Sequence, residues 1–483
     1  MARFLAYGVP LMSQAVSRRD NARRAGNRVK SRPWQLLAFS LPVSAAIAIF
    51  AFAPYQAKAV PAFAEQTGLP CQACHVGGFG PQLTPLGREF KLDGYTMRSK
   101  SSNIPLSAMA IASFTHTKAD QNPPPDGVNH PNDNVAFDQG SIFLAGGMGQ
   151  HFGGFAQFTY DGVGKAWSWD NLDLRAVTKG RVFGQDAVFG LSLNNSPTVQ
   201  DVWNTTPAWG FPYTDTAVSG TPGAAPLIDG GLAQNTLGLS AYAWIGQKFY
   251  LEGGAYTTPK AGTLSWLGAD PASPGDIHGL APYGRIAWQG QLAGGTAQVG
   301  AFALKAQINP ERDRSTGLTD HYSDVGLDTS WQKPTANGDV ISAQLRYVHE
   351  ASDLHASCEL GLIGAGGDPG CAKTNLNEVR GDIGYSWHNK IGATVGAFSI
   401  TGDSNADLYG GPNASPDSSG VMAQLDYTPW GDGTSPLGTR FNMRVGLQYT
   451  AYRKFDGAVH NYDGAGVNAS DNNAVRVFTW VAF

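Results

Sequence analysis

Four cysteines in 483 residues are too few for a disulfide-built scaffold. Charged residues are also scarce, at 15% of the chain. No nucleophile and base stand in a recognisable arrangement, and no phosphate loop or nucleotide fingerprint occurs, which sets aside hydrolytic and NAD-dependent chemistry. Beyond about residue 103 a helical period of any length is missing too. What remains is a chain rich in glycine, aromatics and two-residue alternation, preceded by a short segment of different character.

The start of the chain has the form of an export signal. Arg18, Arg19, Arg23, Arg24, Arg28, Lys30 and Arg32 precede an uncharged stretch from Trp34 to Ala57, and Ala57-Lys58-Ala59 offers the small residues a signal peptidase reads. Cleavage before Val60 is expected; Pro42 and Pro54 interrupt the stretch and speak against a retained spanning helix. Removing residues 1–59 takes nine of the 34 Lys+Arg and one of the 38 Asp+Glu, leaving a formal charge of −12. That balance argues against nucleic acid as a partner, since its binding needs clustered basic residues.

Strands announce themselves after residue 103. Phe441, Met443, Val445, Leu447, Tyr449 and Ala451 alternate with Asn442, Arg444, Gly446, Gln448 and Thr450, and two further segments, from Glu378 to His388 and from Val421 to Thr428, repeat the pattern. The strands have the ten or so residues a tilted strand needs to cross a bilayer. Their polar faces carry Arg285, Arg346, Arg380 and Arg444, costly in a dry sandwich core but tolerable in a wet lumen. The last strand, Val475 to Phe483, ends on an aromatic, as outer-membrane proteins do.

Strand starts are expected near 104, 135, 151, 167, 186, 234, 248, 280, 295, 323, 338, 377, 390, 418, 438 and 472. Brief connections near 148, 247, 292, 336, 389 and 433 interleave with mostly longer ones near 125, 215, 270, 313, 364, 410 and 462. The fold predicted is all-β: a transmembrane antiparallel barrel of about 16 strands over residues 104–483, in the outer membrane, with short turns inside and long loops outside the cell. Cys358 and Cys371 share one long loop and are expected to form a disulfide that staples it. Asp120, Asp126 and Asp133 in the first long loop are read as a solvated face rather than a cation site.

Residues 60–103 are too few to bury a core of their own, so the barrel is their expected host, in or at its lumen. They carry Cys71-Gln72-Ala73-Cys74-His75. Two thiols at this spacing can each take one vinyl group of a haem, with the adjacent histidine on its iron, so one covalent haem c is predicted on Cys71, Cys74 and His75. The alternatives are a redox C-x-x-C pair, without a thioredoxin-like context, or half a zinc site, without a second pair of ligands nearby. Downstream, Thr84 as N-cap, Pro85 at the first position and Gly94 as stop predict a short α-helix whose Leu86 and Phe90 share a face that could pack on the porphyrin. Met97, just past that helix, is the predicted sixth ligand, with Met109 and His116 as rivals or the position left open. The inward arginines could meet haem propionates, but ordinary porin lumens carry such arginines as well.

Pro61 to Leu69, Cys71 to His75 and Leu83 to Tyr95 together resemble the haem segment of the fused monohaem cytochrome-porins, over less than a tenth of the chain. That resemblance implies an outer-membrane iron oxidase, an Fe(II):cytochrome c oxidoreductase. Extracellular Fe(II) would be the donor and a periplasmic c-type cytochrome, or another electron acceptor, would take the electron. A diffusion porin whose haem segment is a structural plug, and a haem conduit for a different extracellular donor, are the competing readings.

Overall fold

Alternation along each strand becomes the two faces of a wall. The computed structural model describes residues 62–99, 106–364, 371–433, 435–438 and 441–483; the expected leader, residues 1–59, lies outside them. The first half of the wall comprises β1 (Leu106–Thr117), β2 (Asn134–Met148), β3 (Phe152–Asp161), β4 (Ala166–Val182), β5 (Gln185–Asn194), β6 (Leu237–Ile245), β7 (Phe249–Thr257) and β8 (Ala281–Leu292). The second half comprises β9 (Gly295–Asn309), β10 (Asp320–Pro334), β11 (Val340–Asp353), β12 (Lys373–Trp387), β13 (Ile391–Gly402), β14 (Ser418–Tyr427), β15 (Asn442–Lys454) and β16 (Ala474–Ala482). Each strand starts within four residues of its expected position.

Neighbours pair antiparallel throughout, and β1 pairs with both β2 and β16, so the sheet closes. At the seam Ala108 and Phe483 exchange backbone hydrogen bonds of 2.6 and 2.9 Å. A two-residue strand, Asp276–Ile277, adds only a local pairing to the upper end of β9. Closure leaves no unpaired edge, which is what a bilayer demands of strands.

The outer face is apolar: Leu327, Leu345, Ile383, Val395 and Leu425 each stand more than half exposed, with Trp387, Tyr385 and Tyr427 toward one rim. This is a barrel of the outer membrane, its exposed band turned to lipid. The inner face is polar, and charges on it are paired. Arg285 lies between Asp328 (2.7 Å) and Asp201 (3.3 Å), with all three side chains at 0% exposure. Arg346 meets Asp229 (2.8 Å) and Glu378 (2.5 Å), and Arg380 meets Glu378 at 2.9 Å. Carboxylates pair these cations inside the lumen.

Two segments occupy the lumen. Residues 62–99 sit at the short-turn end, where Gln66 accepts from the Gly147 amide (2.7 Å), Asn389 accepts from that of Gly77 (2.9 Å) and Thr428 donates to the Gly77 carbonyl (3.1 Å). The turn expected near 433 is longer than its neighbours, spanning residues 428–441, and packs Gly431 against Gly78. The connection between β5 and β6, residues 195–236, folds inward instead of outward. It reaches Arg285 on β8 through Asp201, Asp138 on β2 through Thr216 (2.6 Å) and Arg476 on β16 through Thr214 (3.0 Å). Polar groups on loop and wall thereby satisfy one another across the barrel.

Candidate functional site

A proline and one tight turn bring the three motif side chains together. Pro70 is extended, and the single 3₁₀ turn Cys71–Ala73 closes with the Cys74 and His75 amides both donating to the Cys71 carbonyl, at 3.1 and 2.9 Å. Before the turn lies the short helix α1 (Ala62–Thr67) and after it the helix α2 (Pro85–Leu92). Thr84 caps α2 as predicted, accepting from the Gly87 amide at 3.2 Å, and Gly94 follows with a φ of +64°. Thr84 also ties the helix to the motif: its hydroxyl donates to the Ala73 carbonyl (2.6 Å) and its amide to that of Cys74 (2.9 Å).

Cys71, Cys74 and His75 all line one cavity of about 230 Å³. Its walls are aromatic and come from three parts of the chain: Phe63, Phe79, Phe90 and Tyr95 from the small segment, Phe143, Phe155 and Trp480 from the barrel, and Trp209 from the inward loop. Phe90 of the predicted helix face lines it; Leu86 does not.

Arg444 holds the motif side of the segment, its guanidinium donating to the Gly77 carbonyl (3.0 Å) and to that of Phe79 while lying over the Phe79 and Trp480 rings, 5.2 and 5.8 Å from their centroids. Lys91 holds the other side, donating to the carbonyls of Val199 (2.9 Å) and Asp201 (2.5 Å) and to the Asn204 side chain (2.9 Å). Tyr95 donates to Asp173 on β4 at 2.6 Å.

Burial governs the protonation of the motif. It pushes the His75 imidazole down to about 4, helped by the Arg444 charge and partly opposed by the Gly80 carbonyl, so the ring is neutral at ordinary pH. Its Nδ1 is buried without a hydrogen bond of normal geometry. The thiols are pushed up, Cys74 to about 11, first by burial. A redox C-x-x-C pair needs a depressed thiol pKa, so that alternative loses support. The zinc alternative loses it too, since among the described residues no group of three or more His, Cys, Asp or Glu side chains is placed to hold a metal ion. Two unpaired thiols and a neutral imidazole on one aromatic cavity are chemically compatible with a covalently attached haem.

No protein-family model matches the chain, and no curated protein does. Among solved structures, an anion-selective porin from Comamonas acidovorans aligns at 12% identity and TM-score 0.43, covering 79% of this chain and 99% of that one. OprB of Pseudomonas putida aligns at 14% and 0.45, covering 78% and 93%, and the outer-membrane channel DcaP of Acinetobacter baumannii at 12% and 0.42, covering 81% and 99%. Likenesses this distant carry nothing about what this chain binds.

The remaining predicted residues are dispersed. Met97 is half-buried behind the Phe90, Tyr95 and Phe155 cluster and does not line the cavity, whereas Met109, 3% exposed on β1, does. His116 lies on the opposite face of that strand, exposed and 2.7 Å from Asp133. Asp120, Asp126 and Asp133 are exposed and do not gather. Cys358 and Cys371 are joined, their Cα atoms 6.1 Å apart. Of the four arginines, Arg444 holds the segment that carries the Cys71–His75 motif. Sequence reasoning missed the inward loop, although Trp203, Trp209, Phe211 and Tyr213 in a supposed external loop were a signal. It missed Trp480 too, an aromatic on the face of β16 that should be polar.

Proposed function

We propose that this chain is an electron conduit of the outer membrane, taking electrons from extracellular Fe(II) and delivering them to a periplasmic c-type cytochrome. The observation that supports it most is that Cys71, Cys74 and His75 share one aromatic cavity inside a membrane-spanning barrel, at its short-turn end. Cys71 and Cys74 would hold a haem by thioether bonds and His75 would ligate its iron. Bound there, the group supplies a one-electron carrier within an apolar band roughly 25 Å tall that electrons do not otherwise cross. Fe(II) as donor follows from the resemblance of residues 61–95 to the cytochrome-porins.

The chain's own residues do the rest. Burial keeps His75 neutral and able to ligate. Phe79, Phe90 and Trp480 exclude water, while Arg444 and Lys91 fix the segment to wall and loop. In outer-membrane barrels the short turns face the periplasm, so the motif lies toward the acceptor. The inward loop enters from the long-loop end and contributes Trp209 to the cavity wall; Fe(II) oxidised on its outer side would leave insoluble ferric product outside the cell.

The test uses full-length protein in liposomes with Fe(II) outside and an oxidised c-type cytochrome inside. Reduction of the enclosed cytochrome that is lost in Cys71→Ala supports the conduit. Ion and solute flux without that reduction would make the chain a diffusion porin with a structural plug. Reduction by dithionite or another donor but not by Fe(II) would retain the conduit and remove iron.

A further inference from the structure

We infer that Met109, on the barrel wall, is the second axial ligand to the iron that His75 ligates. The inference rests on the haem reading above and concerns which side chain completes the site. Met109 lines the cavity that Cys71, Cys74 and His75 line, and is 3% exposed. It packs among Phe79, Ile111 and Trp480 and has no hydrogen bond to give up, unlike Lys91, Tyr95 and Asn204 in the same lining. Lys91 spends its ammonium on three oxygens of the inward loop. The Tyr95 hydroxyl is bound to Asp173, and the Asn204 amide donates to the Pro81 carbonyl (2.7 Å) while its oxygen accepts from Lys91. Ser107 offers only a neutral hydroxyl, a hard donor beside a soft thioether.

Register removes the rivals. On β1 the inward positions are odd-numbered, so Met109 faces the lumen and His116 faces away from it. Met97, on the segment itself, packs against the cluster of Phe90, Tyr95 and Phe155 and is not among the residues that line the cavity.

A consequence follows from the position of Met109. It pairs opposite Ala482 across the β1–β16 seam, and Ala482 lines the same cavity. The ligand set therefore joins the lumen segment to the wall beside the seam where the barrel closes.

The experiment is absorption spectroscopy and redox titration of full-length protein, with covalent haem scored by a peroxidase stain on a denaturing gel. Met109→Leu, matched in volume, is expected to lose the near-infrared sulfur-to-iron charge-transfer band and lower the midpoint potential; Met97→Leu is expected to keep both. Should Met109→Leu fail to assemble, the chain with Met97, Met148, Met422 and Met443 all replaced decides the matter, because Met109 is then the one methionine beyond the leader. Retention of the band there supports the assignment. A band that survives in Met109→Leu, vanishes in Met97→Leu or in the fourfold variant, or is absent from the parent overturns it. An unstained parent overturns the haem reading as well, so the two failures are distinguishable.

Discussion

Gly87 lies so close to Cys74 that a Cβ on residue 87 would stand 2.2 Å from the Cys74 carbonyl oxygen. The helix α2 can rest on the haem-motif turn only because that position has no side chain. Its φ is not in the left-handed region, so the reason is space and not backbone freedom.

Gly87→Ala therefore sets two effects against each other. Alanine favours the helix by about 1 kcal/mol, while backbone on backbone cannot yield, and overpacking of this kind costs about 1–3 kcal/mol. The clash is expected to win. Haem content per folded barrel should fall severalfold, measured by pyridine haemochrome against total protein, with the barrel's heat-modifiable gel shift intact.

Arg444→Leu removes both donors to the Gly77 and Phe79 carbonyls and the charge over two rings. Hydrogen bonds from a charged group contribute about 1.5–3 kcal/mol each, enough to loosen the segment without unfolding the wall. Protease added at the periplasmic face should cut between residues 76 and 82 faster than in the parent, and single-channel conductance should rise. Unchanged cleavage would show that Arg444 does not hold the segment.

Lys91→Met leaves the carbonyls of Val199 and Asp201 and the side chain of Asn204 without their cation. Each buried group left unpaired costs about 1–3 kcal/mol. Hydrogen–deuterium exchange should quicken at residues 198–206 and stay slow in β8 and β10. Equal protection in variant and parent would mean that the latch lies elsewhere in the loop.

The Cys358–Cys371 bond closes a loop with a sequence separation of 13 residues, worth about 3 kcal/mol in a chain-entropy account. That loop lies outside the lumen contacts of the haem-motif segment. Replacing both cysteines by serine should expose it to protease from the extracellular side. Haem content and cytochrome reduction should be unchanged; a loss of either would give this bond more than a local role.

Whatever is set by neighbours along the chain was legible before the fold was known. Two-residue alternation placed the strands and, in the segments from 378, 421 and 441, both of their faces, because side-chain direction in a strand repeats locally. Thr84, Pro85 and Gly94 bounded α2 for the same reason, through backbone groups a few residues away. The C-x-x-C-H run carried its proposed chemistry in its own spacing. Even the exclusion of His116 was there to be read, since positions 109 and 116 differ by an odd number. Closure decided the remainder. Gly77 meets Arg444 across 367 residues and Lys91 meets Asp201 across 110, and no local pattern encodes such meetings. The loop 195–236 reads as external until the wall's carboxylates and arginines appear as its partners. Met97 outranked Met109 by proximity to the motif, yet it is Met109 that lines the cavity, because a cavity's lining is chosen by what surrounds it in space.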